Sequence, residues 1–277
     1  MRRFYLQNEI GERKNLQTRG ELFFSSPTGM GFANTNTYAQ TGGFFTRTSA
    51  EQVQGAIAGE LVFGGYTEYR ALADWIFSGY ELQIVYAPEN DEYIADIDIV
   101  SISKGELSRG VLVCPVSISM KTPWYRANAV RIALAPPESD IGWATLPFAL
   151  PVQLAASGVS SAVSLSPAGH MPAAIRVEVP GELTNPCLTL KDANESVIGK
   201  MDLPNVSIPS GGKLIFSTRH GETGVRNGQT DLLGSIDLSN NNFFSVPQGK
   251  TSTLILSAAN TISALAVVTL YEYFRTV

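Results

Sequence analysis

Charge is scarce along this 277-residue chain: Asp, Glu, Lys and Arg make up 16% of it, against about 25% in ordinary soluble domains. A surface so poor in charge is either covered by partners or solvated by Ser, Thr, Asn and Gln, which the sequence also supplies. The 20 basic residues are outnumbered by 25 acidic ones, for a net charge of −5, and no stretch gathers the basic ones into a cluster. Nucleic-acid binding as a main role is thereby disfavoured, because phosphate contacts need concentrated positive charge. Histidine and cysteine are rarer still, with two of each. His170 and His220 stand apart, and Cys114 and Cys187 fall inside separate apolar runs. Zinc sites need several such ligands converging, so this supply argues against one and for reduced core thiols made in a reducing cytosol. There is no Gly-x-Ser-x-Gly elbow, no phosphate-binding loop and no dinucleotide fingerprint, and no cofactor is expected.

Long apolar runs are missing too. Arg2 and Arg3 are followed by Phe-Tyr-Leu-Gln-Asn, so this stretch is not expected to be a signal peptide. Residues 254–270 only just reach the length of a membrane span and carry Ser257, Asn260, Thr261 and Ser263. They are expected to be two strands joined at Ala259-Asn260-Thr261, and no membrane partner is expected.

What is present is mostly β-pattern. Leu112, Cys114, Val116, Ile118 and Met120 alternate along one strand, which should stop at Pro123, Trp124 and Tyr125. Residues 61–63 form a short apolar run ending at Gly64-Gly65. One helix follows, with Tyr69, Leu72, Ala73 and Ile76 at i, i+3, i+4 and i+7 as its core face, Trp75 and Phe77 widening the stripe, and Gly79 as a stop. Leu82, Ile84 and Tyr86 alternate next. In residues 93–103, Ile97 and Ile99 share one face while Val100 and Ile102 share the other, so a bulge near Val100 or a strand buried on both sides is expected. Prolines 136, 137, 147, 151 and 167 mark residues 135–170 as a packed junction between a domain of residues 1–134 and one of residues 171–277. In the latter, apolar alternation at Ile175, Val177 and Val179, and again at Leu214 and Phe216, is punctuated by turn signals about every ten residues, the pattern of an all-β sandwich.

Two stretches suggest chemistry. Arg219-His220-Gly221-Glu222-Thr223 resembles the histidine-phosphatase signature, yet no second histidine follows it and no helix pattern succeeds it, so a hairpin loop is expected. Asp96 and Asp98, with Asp91 or Glu92, offer carboxylates for a calcium ion, although such a pair is more often a solvated strand face.

Several short motifs in order carry a resemblance to a known family: SSPTGMGF at 25–32, GGFF at 42–45, GELVFGGYTEYRALADWI at 59–76, ELQIVYAP at 81–88, YIADIDIVSISKGEL at 93–107 and KTPWY at 121–125. TNPCLTLKD at 184–192, NNFFSVPQGKTSTLIL at 241–256 and the closing VVTLYEYFRTV continue it more loosely. Together they resemble the distal tail proteins of long-tailed, non-contractile phages. The resemblance implies a mainly β protein, with a ring-forming, tail-tube-like N-terminal domain of sandwich or split-barrel type carrying one helix, and a C-terminal galectin-like β-sandwich. It implies a homo-hexameric ring at the tail tip, a structural virion component assembled in the host bacterial cytoplasm. One face of the ring would meet the tail tube protein and the other the hub or tail-lysin protein. Receptor-binding proteins would attach outside, and DNA would pass through the channel without specific binding. Within that frame Pro123, Trp124 and Tyr125 are expected to serve as core and as the hinge between domains. An enzyme is not expected. A carbohydrate-binding module is the other reading, for which exposed Phe243-Phe244 or Trp143 would have to line a groove.

Overall fold

The strands follow the alternation of apolar residues, and in a computed structural model they gather into two units. The structure describes residues 2–18, 20–134, 159–236, 239, 241–259 and 264–277. Unit 1 comprises Met1–Arg126 with Tyr273–Val277, and unit 2 comprises Ala127–Glu272. The chain therefore crosses between units inside strand Trp124–Leu134 and again inside strand Ala264–Phe274, where the sequence placed the first boundary at residue 134. Of the expected junction, 135–158 lies outside the described residues, and Val159–Leu165 is a strand. Among the described residues no helix is long and apolar enough to cross a membrane.

In unit 1 an antiparallel sheet runs Arg3–Asn8, Leu82–Ala87, Tyr93–Ile102, Leu112–Met120, Ala56–Phe63, Leu22–Thr28. It curls back on itself at Leu16. The Leu16 N–H donates to the Phe4 carbonyl at 3.0 Å, and its own carbonyl accepts from the Phe24 N–H at 2.8 Å, so one residue ties the two edge strands together. Closure of this kind removes exposed sheet edges. Phe4, Phe24, Ile57, Phe63, Ile84 and Leu112 fill the interior. The strand ending at Phe63 begins at Ala56, longer than the apolar run of 61–63 that announces it, because its earlier residues alternate with small ones. In strand Tyr93–Ile102, Ser117 pairs with Ser101 and Ile118 with Ile99, which leaves Val100 as the bulged residue, two-thirds exposed.

The helix spans Tyr66–Ile76 and starts after Gly64-Gly65 with Glu68 in its first turn, where a carboxylate complements the helix dipole. Leu72 and Trp75 are buried, and Tyr69 and Ile76 pack against the unit 1 core, while Ala73 is half-buried. Phe77 corrects the sequence reading. It lies just past the last turn and is 84% exposed, so it does not widen the apolar stripe. Gly79, with φ of 89°, follows in the loop.

Unit 2 is a sandwich. One sheet places Ala174–Pro180 between Lys213–Ser217 and Ala264–Phe274, with Gly224–Asn227 beyond Lys213–Ser217. The other runs Val159–Leu165, Ser252–Ala258, Cys187–Lys191, Val197–Asp202. Ile175, Val177, Leu190, Phe216, Leu254 and Val268 meet between them with no more than trace exposure. Residues 254–270 thus contribute two strands, Ser252–Ala258 and Ala264–Phe274, with 260–263 outside the described residues.

Candidate assembly surface

Strands Asn34–Thr41 and Phe44–Gln52 pair with each other and with no other described strand, forming an arm of eight paired positions closed by Gly42-Gly43. Both glycines have positive φ, 59° and 88°, which a two-residue turn matching strand twist requires. Thr, Tyr and Phe favour strands, so the arm's local preference is extended. Yet every residue of Phe44–Gln52 is exposed. Phe44 and Phe45 at the tip are 79% and 69% exposed, and Tyr38 is also largely in solvent. Gln40 stands opposite Phe45 and Tyr38 opposite Arg47, so Tyr38 and Phe45 share a face as diagonal neighbours.

The arm's root is held firmly. The Val53 N–H donates to the Ala33 carbonyl at 2.9 Å, the Gln54 amide donates to Ser119 Oγ and to the Met120 carbonyl, each at 3.0 Å, and the Met120 N–H donates to the Gly55 carbonyl at 2.8 Å. These bonds fasten the root to the end of strand Leu112–Met120. Gly29 lies beside it with φ of 82°, and a Cβ there would overlap the Ala56 carbonyl oxygen. A groove of about 550 Å³ opens at the same place, walled by Phe32, Val53, Met120, Pro123, Trp124 and Phe274. Gln52, Gln54, Lys121, Thr122 and Arg275 line it as well, and Lys121 pairs with Glu81 and with Asp98.

Of the expected hinge residues, Trp124 is 1% exposed, in the unit 1 core and against Tyr86, with its indole N–H buried and lacking an acceptor among the described residues. Tyr125 is buried, and its hydroxyl donates to Asp96 Oδ1 at 3.0 Å while accepting from the Gln83 amide at 3.0 Å. Both aromatics open a new strand directly after Pro123, one residue before the chain enters unit 2.

The suggested chemical stretches are spoken for. Asp96 accepts from Tyr125 and Gln83, Asp98 pairs with Lys121, Asp91 with Arg126 and Glu92 with Arg13, so the carboxylates answer to separate partners. Among the described residues no group of three or more His, Cys, Asp or Glu could hold a metal. Arg219-His220-Gly221-Glu222 forms the turn between strands Lys213–Ser217 and Gly224–Asn227, with Gly221 at φ of 78°. Glu222 accepts from Arg219 at 2.8 Å and from Arg176 at 2.7 Å, and the Arg219 guanidinium lies 5.0 Å over the Tyr271 ring. Arg176 also reaches Glu178, which Lys213 contacts as well. Burial alone would raise the Glu178 carboxyl, but hydrogen bonds from Lys213 and Arg176 outweigh it and hold the group below its usual range. Burial pushes the half-buried Cys187 thiol up.

Neither phenylalanine that a carbohydrate reading needs is freely exposed. Phe244 is buried against Gly199 and Phe216, and Phe243 stacks on Phe216 at 5.8 Å. Trp143 lies outside the described residues.

The GGFF motif at 42–45 holds the turn and tip of the arm, which sequence patterning does not announce. A Gly-Gly pair between Thr- and Phe-bearing runs is the available signal for it.

Residues 3–121 match the family model described as the distal tail protein, N-terminal domain. Among solved structures, the chain is similar to a chain of the phage p2 baseplate in its activated conformation with strontium. The identity is 12%, all of both chains is covered and the TM-score is 0.67. It is also similar to the SPP1 Dit (gp 19.1) protein, described as a paradigm of the hub adsorption apparatus in phages infecting Gram-positive hosts. There the identity is 10%, coverage is 97% of this chain and 98% of that one, and the TM-score is 0.60. At such identities the likeness is one of fold. No curated protein matches the sequence.

Proposed function

We propose that this chain, whose residues 3–121 match the N-terminal domain of the distal tail protein family, is a phage tail component of which six copies close into a ring at the distal tip of a long-tailed phage. The observation that carries this is the free-standing arm beside a partly apolar groove, both on unit 1. An isolated two-stranded hairpin is marginal in water, and it gains a reason to persist when a neighbour covers it. Two different patches on one molecule make a head-to-tail contact, the kind that closes into rings. The low charge of the chain fits a surface largely covered by other copies.

In this reading residues 1–134 form the ring, residues 135–170 the junction, and residues 171–277 the outer sandwich, with Pro123, Trp124 and Tyr125 as core and hinge between them. The ring joins the tail tube protein on one face to the hub or tail-lysin protein on the other, and receptor-binding proteins attach around it. DNA passes through its channel without specific contacts. The protein is a virion component assembled in the host cytoplasm and performs no catalysis, which the commitment of Arg219 and Glu222 to each other supports.

Native mass spectrometry with negative-stain imaging of the full chain tests this. Six-copy rings are expected, and a chain that stays single at micromolar concentration contradicts it. Gold-labelled antibody on intact phage should decorate the tail tip, and decoration of the capsid would overturn the placement.

A further inference from the structure

The sequence sets an asparagine directly before a glycine at Asn227-Gly228 and nowhere else. Such a pair is open to a reaction within the chain, because glycine has no side chain to keep its nitrogen away. The Gly228 backbone nitrogen gives up its proton and bonds to Asn227 Cγ. The side-chain nitrogen leaves as ammonia, and a succinimide ring remains. Water then opens the ring, leaving aspartate where the Cγ–N bond breaks and isoaspartate where the backbone C–N bond breaks.

In the folded chain both reacting groups are tied to one neighbour. The Gly228 N–H donates to the Lys213 carbonyl at 2.8 Å, and Asn227 Oδ1 accepts from the Lys213 N–H at 3.3 Å. Asn227 also stands in two strand pairs at once, opposite Leu214 and opposite Thr230. Its amide fits against Lys213 because Gly212 carries no Cβ; one built there would lie 3.0 Å from Asn227 Oδ1. Beyond Gly224–Asn227 there is only the two-residue strand Thr230–Asp231, which ends the strand order of this sheet among the described residues. An edge so short opens more readily than the core strands.

We infer that Asn227 is a modification site gated by this edge of unit 2. It stays an amide while Lys213 holds it and Gly228, and it converts when the strand pair separates. Isoaspartate adds a methylene to the main chain, so it cannot face both Leu214 and Thr230, and the edge does not close again in register. The hairpin thereby keeps an irreversible record of its own opening. This inference is independent of the ring reading.

The test incubates the full chain in mildly alkaline buffer, with and without urea, and follows Asn227 by peptide mass spectrometry. Labelling with an isoaspartyl methyltransferase counts the rearranged product. Conversion should be slower by about tenfold or more in native buffer than in unfolding urea, because only the opened fraction reacts. At urea concentrations below the unfolding transition it should already rise while circular dichroism stays native, because the edge opens ahead of the core. Gly212→Ala, whose Cβ crowds the Asn227 carbonyl, should speed conversion several-fold in native buffer. The urea series decides the matter if that variant does not fold. Equal conversion in native buffer and in unfolding urea overturns the lock, as does a folded Gly212→Ala chain that converts no faster than wild type. Conversion in neither condition overturns the site. Conversion that rises only with the dichroism transition overturns the edge as its gate.

Discussion

Two hairpins of this protein have opposite surroundings. The hairpin of Lys213–Ser217 and Gly224–Asn227 buries Leu214, Phe216 and Val225 in the core of unit 2. The arm of Asn34–Thr41 and Phe44–Gln52 buries nothing in its outer strand. In the first, packing pays for order many times over, and the ladder bonds follow. In the second, the ladder stands without a hydrophobic face beneath it, so its stability depends on what lies outside the molecule. A strand's sequence preference is local, whereas its reason to exist is set by the surface it covers.

The sharpest contrast comes from truncating one aromatic in each hairpin. Phe216→Ala should destabilise unit 2 by about 3–5 kcal/mol in denaturant unfolding, since a fully buried ring leaves a cavity. Trp124→Ala should fall in the same range of about 3–5 kcal/mol for unit 1. Phe45→Ala, measured at a dilution where copies are separate, should change stability within about ±0.5 kcal/mol, as surface substitutions do. A loss above that would mean the arm is packed within its own molecule.

A smaller effect concerns the arm's mounting. Gly29→Ala should cost more than about 1 kcal/mol, because the left-handed backbone and the Ala56 carbonyl both oppose a Cβ. It should also weaken ring formation if the root sets the arm's direction. Unchanged assembly in a destabilised variant would separate mounting from contact.

The charged cluster beneath the unit 2 hairpin predicts a pH response. The Glu178 carboxyl is held below its usual value in the folded chain, so its contribution is present above the unfolded pKa near 4.3 and is lost as pH falls through the lower folded value. Glu178→Gln should therefore cost about 0.5–1 kcal/mol near neutral pH and flatten the acid side of the stability curve. An unchanged acid limb would mean the Lys213 and Arg176 contacts contribute nothing. Last and smallest, His220→Ala should leave stability within about ±0.5 kcal/mol, and neither form should hydrolyse a general phosphatase substrate above a heat-treated control. Hydrolysis lost in the variant would reverse the reading of this turn.

What the sequence disclosed was whatever had a local period. The bulge at Val100 was legible because Ile97 and Ile99 shift phase against Val100 and Ile102. The helix was legible from Tyr69, Leu72 and Ile76, while Phe77 misled because helical spacing continues in sequence past the point where the last turn ends. The return of Tyr273–Val277 to unit 1 left no trace, since it joins segments from opposite ends of the chain. The packing of Phe244 depended on Gly199, which has no Cβ to keep the ring away, a relation no pattern within either stretch expresses. Of the assembly surface, Pro123 and Trp124 stood out as apolar excess at a strand exit. The arm did not, because a strand pair without a buried face has no apolar alternation to betray it.

Amide hydrogen exchange over residues 34–52, compared between assembled wild-type chain and separated Phe44→Ser, Phe45→Ser chain, tests the central claim most directly. A ladder completed by a neighbour should exchange slowly in the assembly and fast in the single chain. Fast exchange in both states would place the arm outside any interface, and slow exchange in both would show that it needs no neighbour; either result contradicts the account.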